Sequence, residues 1–265
     1  MDNKKHLPAF ERLLNILDEL REKCPWDREQ TIDSLRTMSI EEVYELSDAI
    51  MRGNFDEIKK ELGDILLHTV FYAKIACEQS KFNISDVINS LCDKLIYRHP
   101  HVFGEIEVDG AKDVVKNWEQ LKIKEKDGNR TVLSGVPVSL PALIKACRIQ
   151  EKAAAVGFDW ENREQVWEKI DEEKQELMHE IGEMDKNKME DEFGDLFFSL
   201  INAARLYGIN PETALERTNR KFINRFTYLE NKTIRQGRSL KSMTLKEMDE
   251  IWNEAKSMEN PDTDI

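Results

Sequence analysis

Glu61-Leu62-Gly63-Asp64-Ile65-Leu66-Leu67-His68-Thr69-Val70-Phe71-Tyr72 is the stretch that decides the fold. At about 100° per residue, Leu62, Ile65, Leu66, Leu67, Val70, Phe71 and Tyr72 cover almost the whole circumference of a helix. A helix apolar all round is expected in the middle of a bundle. Only Glu61, Asp64 and His68, at i, i+3 and i+7, make a polar stripe along it. Further on, Leu196, Phe197, Phe198, Leu200 and Ile201 surround a second stripe of Glu192, Asp195 and Ser199. Carboxylates on a buried helix have to be paired or neutralised, because an isolated buried charge costs many kcal/mol.

The preceding helix of each stretch supplies more acid. Glu41, Glu42 and Glu45 precede Glu61 and Asp64, and Glu172, Glu173 and Glu176 precede Glu192 and Asp195. All five positions match at a constant spacing of 131 residues. Small gaps bring further pairs into register: Trp26-Asp27 with Phe158-Asp159, Lys94 and Arg98 with Lys221 and Arg225, and Trp118 with Trp252. The chain is an internal duplication. Between the copies, Lys126-Asp127-Gly128-Asn129-Arg130, Ser134-Gly135-Val136-Pro137 and Pro141 read as a linker. The expected organisation is a helical domain at 1–125, a linker at 126–141 and a second helical domain at 142–265.

Each copy reads as four helices joined by short turns. In the first, Leu7 to Glu22 is periodic and Cys24-Pro25-Trp26-Asp27 ends it. Ser39 with Glu42 three residues later has capping-box spacing and predicts a helix start. Gly53-Asn54 separates that helix from one over about Asp56 to Cys77, and Asn83 to Asp86 caps a fourth that ends before His99-Pro100. Gly208 and Asn210-Pro211 play the same part in the second copy. The fold class is all-α, two tandem four-helix-bundle-like domains.

Only 11 glycines and 7 prolines in 265 residues argue against a turn-rich β fold. With 39 basic and 52 acidic residues the net charge is −13, which repels nucleic-acid polymers and anionic membranes. The longest apolar run is too short to span a bilayer. Four cysteines far apart, and no secretory leader after Met1, read as reduced thiols in a cytoplasmic protein.

Five carboxylates facing one another repel unless cations sit between them. All-oxygen ligation selects hard divalent ions, Mg²⁺ or alternatively Mn²⁺. Such an ion lowers the pKa of a coordinated water and stabilises charge on a phosphoryl oxygen. Lys94 with Arg98, and Lys221 with Arg225, lie at i, i+4 and suit the neutralisation of phosphates. Trp118 and Trp252 suit either a core or stacking on a base. His99 and His101 read as part of a turn, because Phe226 stands at the register of His99. No Walker-type loop, GxSxG elbow or HExxH is present. A single Glu-x-x-His, Glu176 to His179, speaks weakly for a di-iron bundle. From the residues alone, a non-catalytic helical interaction protein with duplicated salt-bridge networks stays open.

Cys24-Pro-Trp-Asp-Arg-Glu-Gln-Thr31, the Glu41-Glu-x-x-Glu45 and Glu61-x-x-Asp64 pair, and Arg98-His-Pro-His-Val-Phe103 resemble the first half of the MazG family of nucleoside triphosphate pyrophosphohydrolases. Gly135-Val-Pro137, Leu140-Pro-Ala-Leu143 and Val156-Gly-Phe-Asp-Trp160 are similar to its linker and second half, so the resemblance covers nearly the whole chain. It implies a homodimer that uses Mg²⁺ to cleave NTPs and dNTPs to the monophosphate and pyrophosphate, a role in clearing the nucleotide pool, and catalysis in the second domain. By the same resemblance, Glu173, Glu176, Glu192 and Asp195 would be metal ligands. Lys169, Ile170, Asp171, Glu172 and Glu173, then Lys188, Met189, Glu190 and Asp191 with Asp195, then Lys221, Phe222, Ile223, Asn224 and Arg225, and Trp252, would line the nucleotide site. Glu172 would orient or deprotonate the attacking water, and Lys221 and Arg225 would offset phosphate charge. In the first half Glu41, Glu42, Glu45, Glu61, Asp64, Lys94 and Arg98 all survive, with Trp118, as a second site. A narrower dNTP or phosphoribosyl-nucleotide pyrophosphohydrolase is the rival on the same scaffold.

Overall fold

The computed structural model describes residues 3–110, 114, 121 and 131–258. It is all-α, with no strand among the described residues, and divides into two compact units, the first running to Ile106 and the second from Glu107. The expected boundary at residue 125, the linker residues 126–130 and Trp118 lie outside the described residues.

The first unit consists of α1 (His6–Lys23), a short α2 (Pro25–Glu29), α3 (Ile32–Met51), α4 (Phe55–Glu78), α5 (Ile84–Arg98) and a single turn, α6 (Pro100–Phe103). Helix α3 starts seven residues before the expected Ser39. Thr31 caps it instead: its side chain accepts from the Ser34 amide at 3.1 Å while Ser34 Oγ accepts from the Thr31 amide at 2.9 Å. Ser39 lies mid-helix because its hydroxyl has other partners, the Leu35 carbonyl at 2.9 Å and Tyr72 Oη at 2.8 Å. Gly53, at φ +63°, turns the chain between α3 and α4, and Asn54 Oδ1 caps α4 by accepting from the amides of Asp56 and Glu57. Asn83 and Asp86 form the expected reciprocal box at the start of α5. After α6 the chain needs a glycine, since a Cβ on Gly104 would lie 2.8 Å from the Pro100 carbonyl oxygen.

Leu17, Leu35, Val70, Phe71 and Ile75 form the core between α1, α3 and α4. Helix α4 is not surrounded as its composition predicts: Leu62 and Leu66 are 52% and 43% exposed. Its neighbours α1, α3 and α5 cover the Val70 and Phe71 side, and the opposite face meets solvent in the single chain.

The helices of the second unit whose bounds fall among the described residues are α7 (Ala142–Ala155), α8 (Gln165–Glu183), α9 (Lys186–Leu206), α10 (Pro211–Arg235) and α11 (Leu245–Met258). Among the described residues that is a fifth helix beyond the four expected, and α11 packs on α10 around Leu229, Met243 and Ile251. Helices α8 and α9 form the same hairpin as α3 and α4. Met184, at φ +59°, stands where Gly53 stands in the first copy, and Asp185 caps α9 as Asn54 caps α4. Val166, Ile170 and Ala203 are the core of this hairpin, a smaller cluster than its counterpart. Phe193, Phe197 and Leu200 are exposed on α9, the same departure from an all-round buried helix.

Candidate functional site

In each hairpin the two helices run antiparallel, so i, i+3 carboxylates on one helix meet those on the other. Ligand atoms of Glu173, Glu176 and Glu192 all lie within 4.8 Å of one another, and so do those of Glu42, Glu45 and Glu61. Asp195 and Asp64 lie one turn further along and add their charge to the same groups. Glu173 and Glu61 are buried, at 6% and 5% exposure. Glu192 Oε2 and Glu61 Oε2 are buried with no hydrogen-bond partner among the described residues.

Such an arrangement favours protonation. The Glu192 carboxyl is held above the ordinary glutamate range, first by loss of solvent and then by Glu176, Asp195, Glu173 and Glu180. Glu42 is raised in the same way, by burial and by Asp64 and Glu45. Orphaned buried carboxylate oxygens among like charges are what a hard divalent cation satisfies, so these donors fit Mg²⁺ or Mn²⁺.

A lysine reaches each group from a different position. In the second unit Lys169 Nζ is 2.8 Å from Glu173 and 3.2 Å from Glu172, and the ion pair with Glu173 raises its pKa. In the first, Lys60 Nζ is 3.0 Å from Glu61, 3.8 Å from Asp64 and 4.0 Å from Glu45. Asp191 stands at the register of Lys60, so the two copies differ in charge at the rim. Glu172 and Glu41 are exposed, outside the three-carboxylate groups.

Of the other expected residues, Ile170 is core and Asp171 is exposed. Lys188 reaches Glu180 at 3.5 Å, while Met189, Glu190 and Asp191 follow it on the first turns of α9. Lys221, Phe222, Ile223, Asn224 and Arg225 lie on α10, where Lys221 and Arg225 are half-buried and the other three are exposed. The Arg225 guanidinium lies over the Trp252 ring at 5.6 Å, and Phe222 packs against the same ring at 5.0 Å. The Trp252 ring is thus engaged by protein side chains. Lys94 and Arg98 occupy successive turns of α5. His99 Nδ1 donates to the Leu95 carbonyl at 2.6 Å, which fixes the ring in the turn.

Two features were not singled out in the sequence. Glu180 is a further carboxylate beside Glu192, where the first copy has Ala49; its i+4 spacing from Glu176 is the signal that identifies it. A cavity of about 570 Å³ opens beside Glu173, Asp195 and Lys169 and runs between α7 and α9. Its lining includes Gln150, Phe198, Asn202 and Arg205. At the registers of Asn202 and Ser199 the first copy has Phe71 and His68, and that loss of apolar bulk on a core helix was the available signal.

Residues 30–103 and 161–229 match the MazG nucleotide pyrophosphohydrolase domain. The chain is 45% identical over 250 residues to the nucleoside triphosphate pyrophosphohydrolase/pyrophosphatase MazG of Thermotoga maritima, covering 93% of this chain and 95% of that one. It is 40% identical over 257 residues to the nucleoside triphosphate pyrophosphohydrolase of Escherichia coli K12, covering 94% and 98%. A protein of the same name from Mycobacterium tuberculosis is 40% identical over 153 residues, 56% of this chain and 46% of that one.

Proposed function

The chain belongs to the MazG nucleotide pyrophosphohydrolase family, and on that premise we propose that it hydrolyses NTPs and dNTPs to the monophosphate and pyrophosphate in a Mg²⁺-dependent reaction centred on its second unit. The observation that carries this reading is the Glu173, Glu176 and Glu192 group, with its orphaned buried oxygen and raised Glu192 pKa. Glu173, Glu176, Glu192 and Asp195 would hold the ion. When bound, Mg²⁺ supplies a Lewis acid for phosphoryl oxygens and a more acidic water. Glu172, exposed beside Lys169, orients the attacking water and takes its proton as the α–β bridging bond breaks. Lys169 and Lys188 at the rim, with Lys221 and Arg225 on α10, offset charge on the phosphates, and Trp252 holds the Arg225 guanidinium in place. Ile170 contributes through the core, and Asp171, Met189, Glu190, Asp191, Phe222, Ile223 and Asn224 flank these groups. The first unit keeps Glu41, Glu42, Glu45, Glu61, Asp64, Lys94 and Arg98 and is proposed as a second ion-binding centre.

The exposed apolar faces of α4 and α9 suit burial in a homodimer. No helix of the described residues is long and apolar enough to cross a membrane, and the four cysteines are unpaired. From the family we propose that the enzyme is cytoplasmic and clears the nucleotide pool.

Product analysis by ion-exchange chromatography tests the reading, using ATP and dNTPs with and without Mg²⁺. Monophosphate and pyrophosphate, formed only with the ion, lost in Glu192→Ala and retained in Glu61→Ala, is the expected result. Diphosphate and inorganic phosphate would overturn it.

A further inference from the structure

The cavity beside the second carboxylate group carries an inference that rests on the function proposed above and names which part of the substrate it takes. Its volume, about 570 Å³, lies within the range of small-molecule sites, roughly 300–1,000 Å³. One end is polar and charged, formed by Glu173, Asp195 and Lys169. The remainder is walled mainly by apolar and aromatic side chains, among them Phe158, Trp160 and Phe198. With a divalent ion held by the carboxylates, as proposed above, and Lys169 beside it, a ligand that fits has an anionic end and a flat, largely apolar end, as a nucleotide does.

Inside this cavity the Gln150 amide is left with an unmet acceptor. Gln150, on α7, is 5% exposed. Its Nε2 donates to the Phe198 carbonyl at 2.8 Å. A carbonyl can only accept, so the nitrogen has to face Phe198 and the oxygen has to face away. Gln150 Oε1 is buried with no hydrogen-bond partner among the described residues. Leaving a buried acceptor unpaired costs about 1–3 kcal/mol, so such an atom calls for a donor from whatever fills the cavity, water in the free protein and a ligand when one is bound. The first copy supplies the contrast. Phe71, at the register of Asn202, is 3% exposed and packs with Leu17, Leu35, Val70 and Ile75.

We infer that this cavity is the nucleobase subsite and that Gln150 Oε1 accepts a hydrogen bond from an N–H group on the edge of the base. The donor is an exocyclic amine or a ring imide. Asn202, whose Oδ1 is held by Arg205 at 2.8 and 3.0 Å, keeps the cavity open where a phenylalanine would close it. The base then lies on one side of the carboxylates, which leaves the pyrophosphate to leave on the other.

Steady-state kinetics on the full chain decide this, with matched substrates: ATP against purine riboside triphosphate, UTP against N3-methyluridine triphosphate, and ribose 5-triphosphate, which has no base. Wild type is expected to favour at least one donor-bearing partner by about tenfold in kcat/KM, the size of one hydrogen bond. In Gln150→Met that preference falls to about twofold or less. Asn202→Phe, which fills the cavity as Phe71 does, lowers the ratio of ATP to ribose 5-triphosphate and decides the matter should Gln150→Met fail to fold. Equal turnover within each pair by wild type, or a preference that survives in Gln150→Met, would overturn the inference alone. No cleavage of any triphosphate to pyrophosphate would overturn the proposed function and the inference with it.

Discussion

Glu192 concentrates the tension of the second carboxylate group in one side chain. Its folded pKa is raised, so the folded chain holds that proton more tightly than the unfolded chain does. The associated stability is present below the ordinary glutamate value, about 4.3, and is lost as pH rises through the raised value. In a chelator, the melting temperature of wild type is therefore expected to fall relative to Glu192→Gln as pH rises from acid to neutral. Calorimetry of both proteins across that range checks it. Added Mg²⁺ is expected to reverse the order at neutral pH. The same substitution should lower kcat by about 100-fold or more, since losing several kcal/mol of transition-state stabilisation costs a factor of ten per 1.4 kcal/mol.

At the scale of elements, the two hairpins solve one turn with different residues. Gly53 takes a left-handed backbone without steric cost, whereas Met184 takes it with a Cβ and a long exposed side chain. Met184→Gly should stabilise the second unit by about 1 kcal/mol, read as a higher urea midpoint with an unchanged slope. Much of this level was legible in the sequence: the helical period of α1, the Asn83 cap, the Gly53 turn and the paired carboxylates. What was not legible has physical causes. Ser39 carries a capping pattern, but its hydroxyl is claimed by Leu35 and Tyr72, and the second partner is a tertiary neighbour. The apolar circumference of α4 reports hydrophobicity, not which neighbour covers Leu62 and Leu66. The Gln150 acceptor was hidden for a similar reason, since only the fold sets α7 against the Phe198 carbonyl.

For the whole molecule, an ion that binds the native state and not the unfolded chain raises stability by mass action, about 2.7 kcal/mol at one hundred times Kd. Titrating Mg²⁺ against melting temperature in wild type, Glu61→Gln and Glu192→Gln should separate the contributions of the two carboxylate groups, and an equal response to Na⁺ at matched ionic strength would argue for screening instead. The open cavity bears on stability as well. Emptying a core site that held a phenylalanine generally costs about 3–5 kcal/mol, and the second unit has Asn202 where the first buries Phe71. Hydrogen exchange in mild urea should therefore open α9 before α4, and a nucleotide analogue that cannot be hydrolysed should narrow the gap. Duplication has let the two copies diverge in how they use the same position: one repeat fills it with core bulk, and the other gives up that bulk for an open cavity.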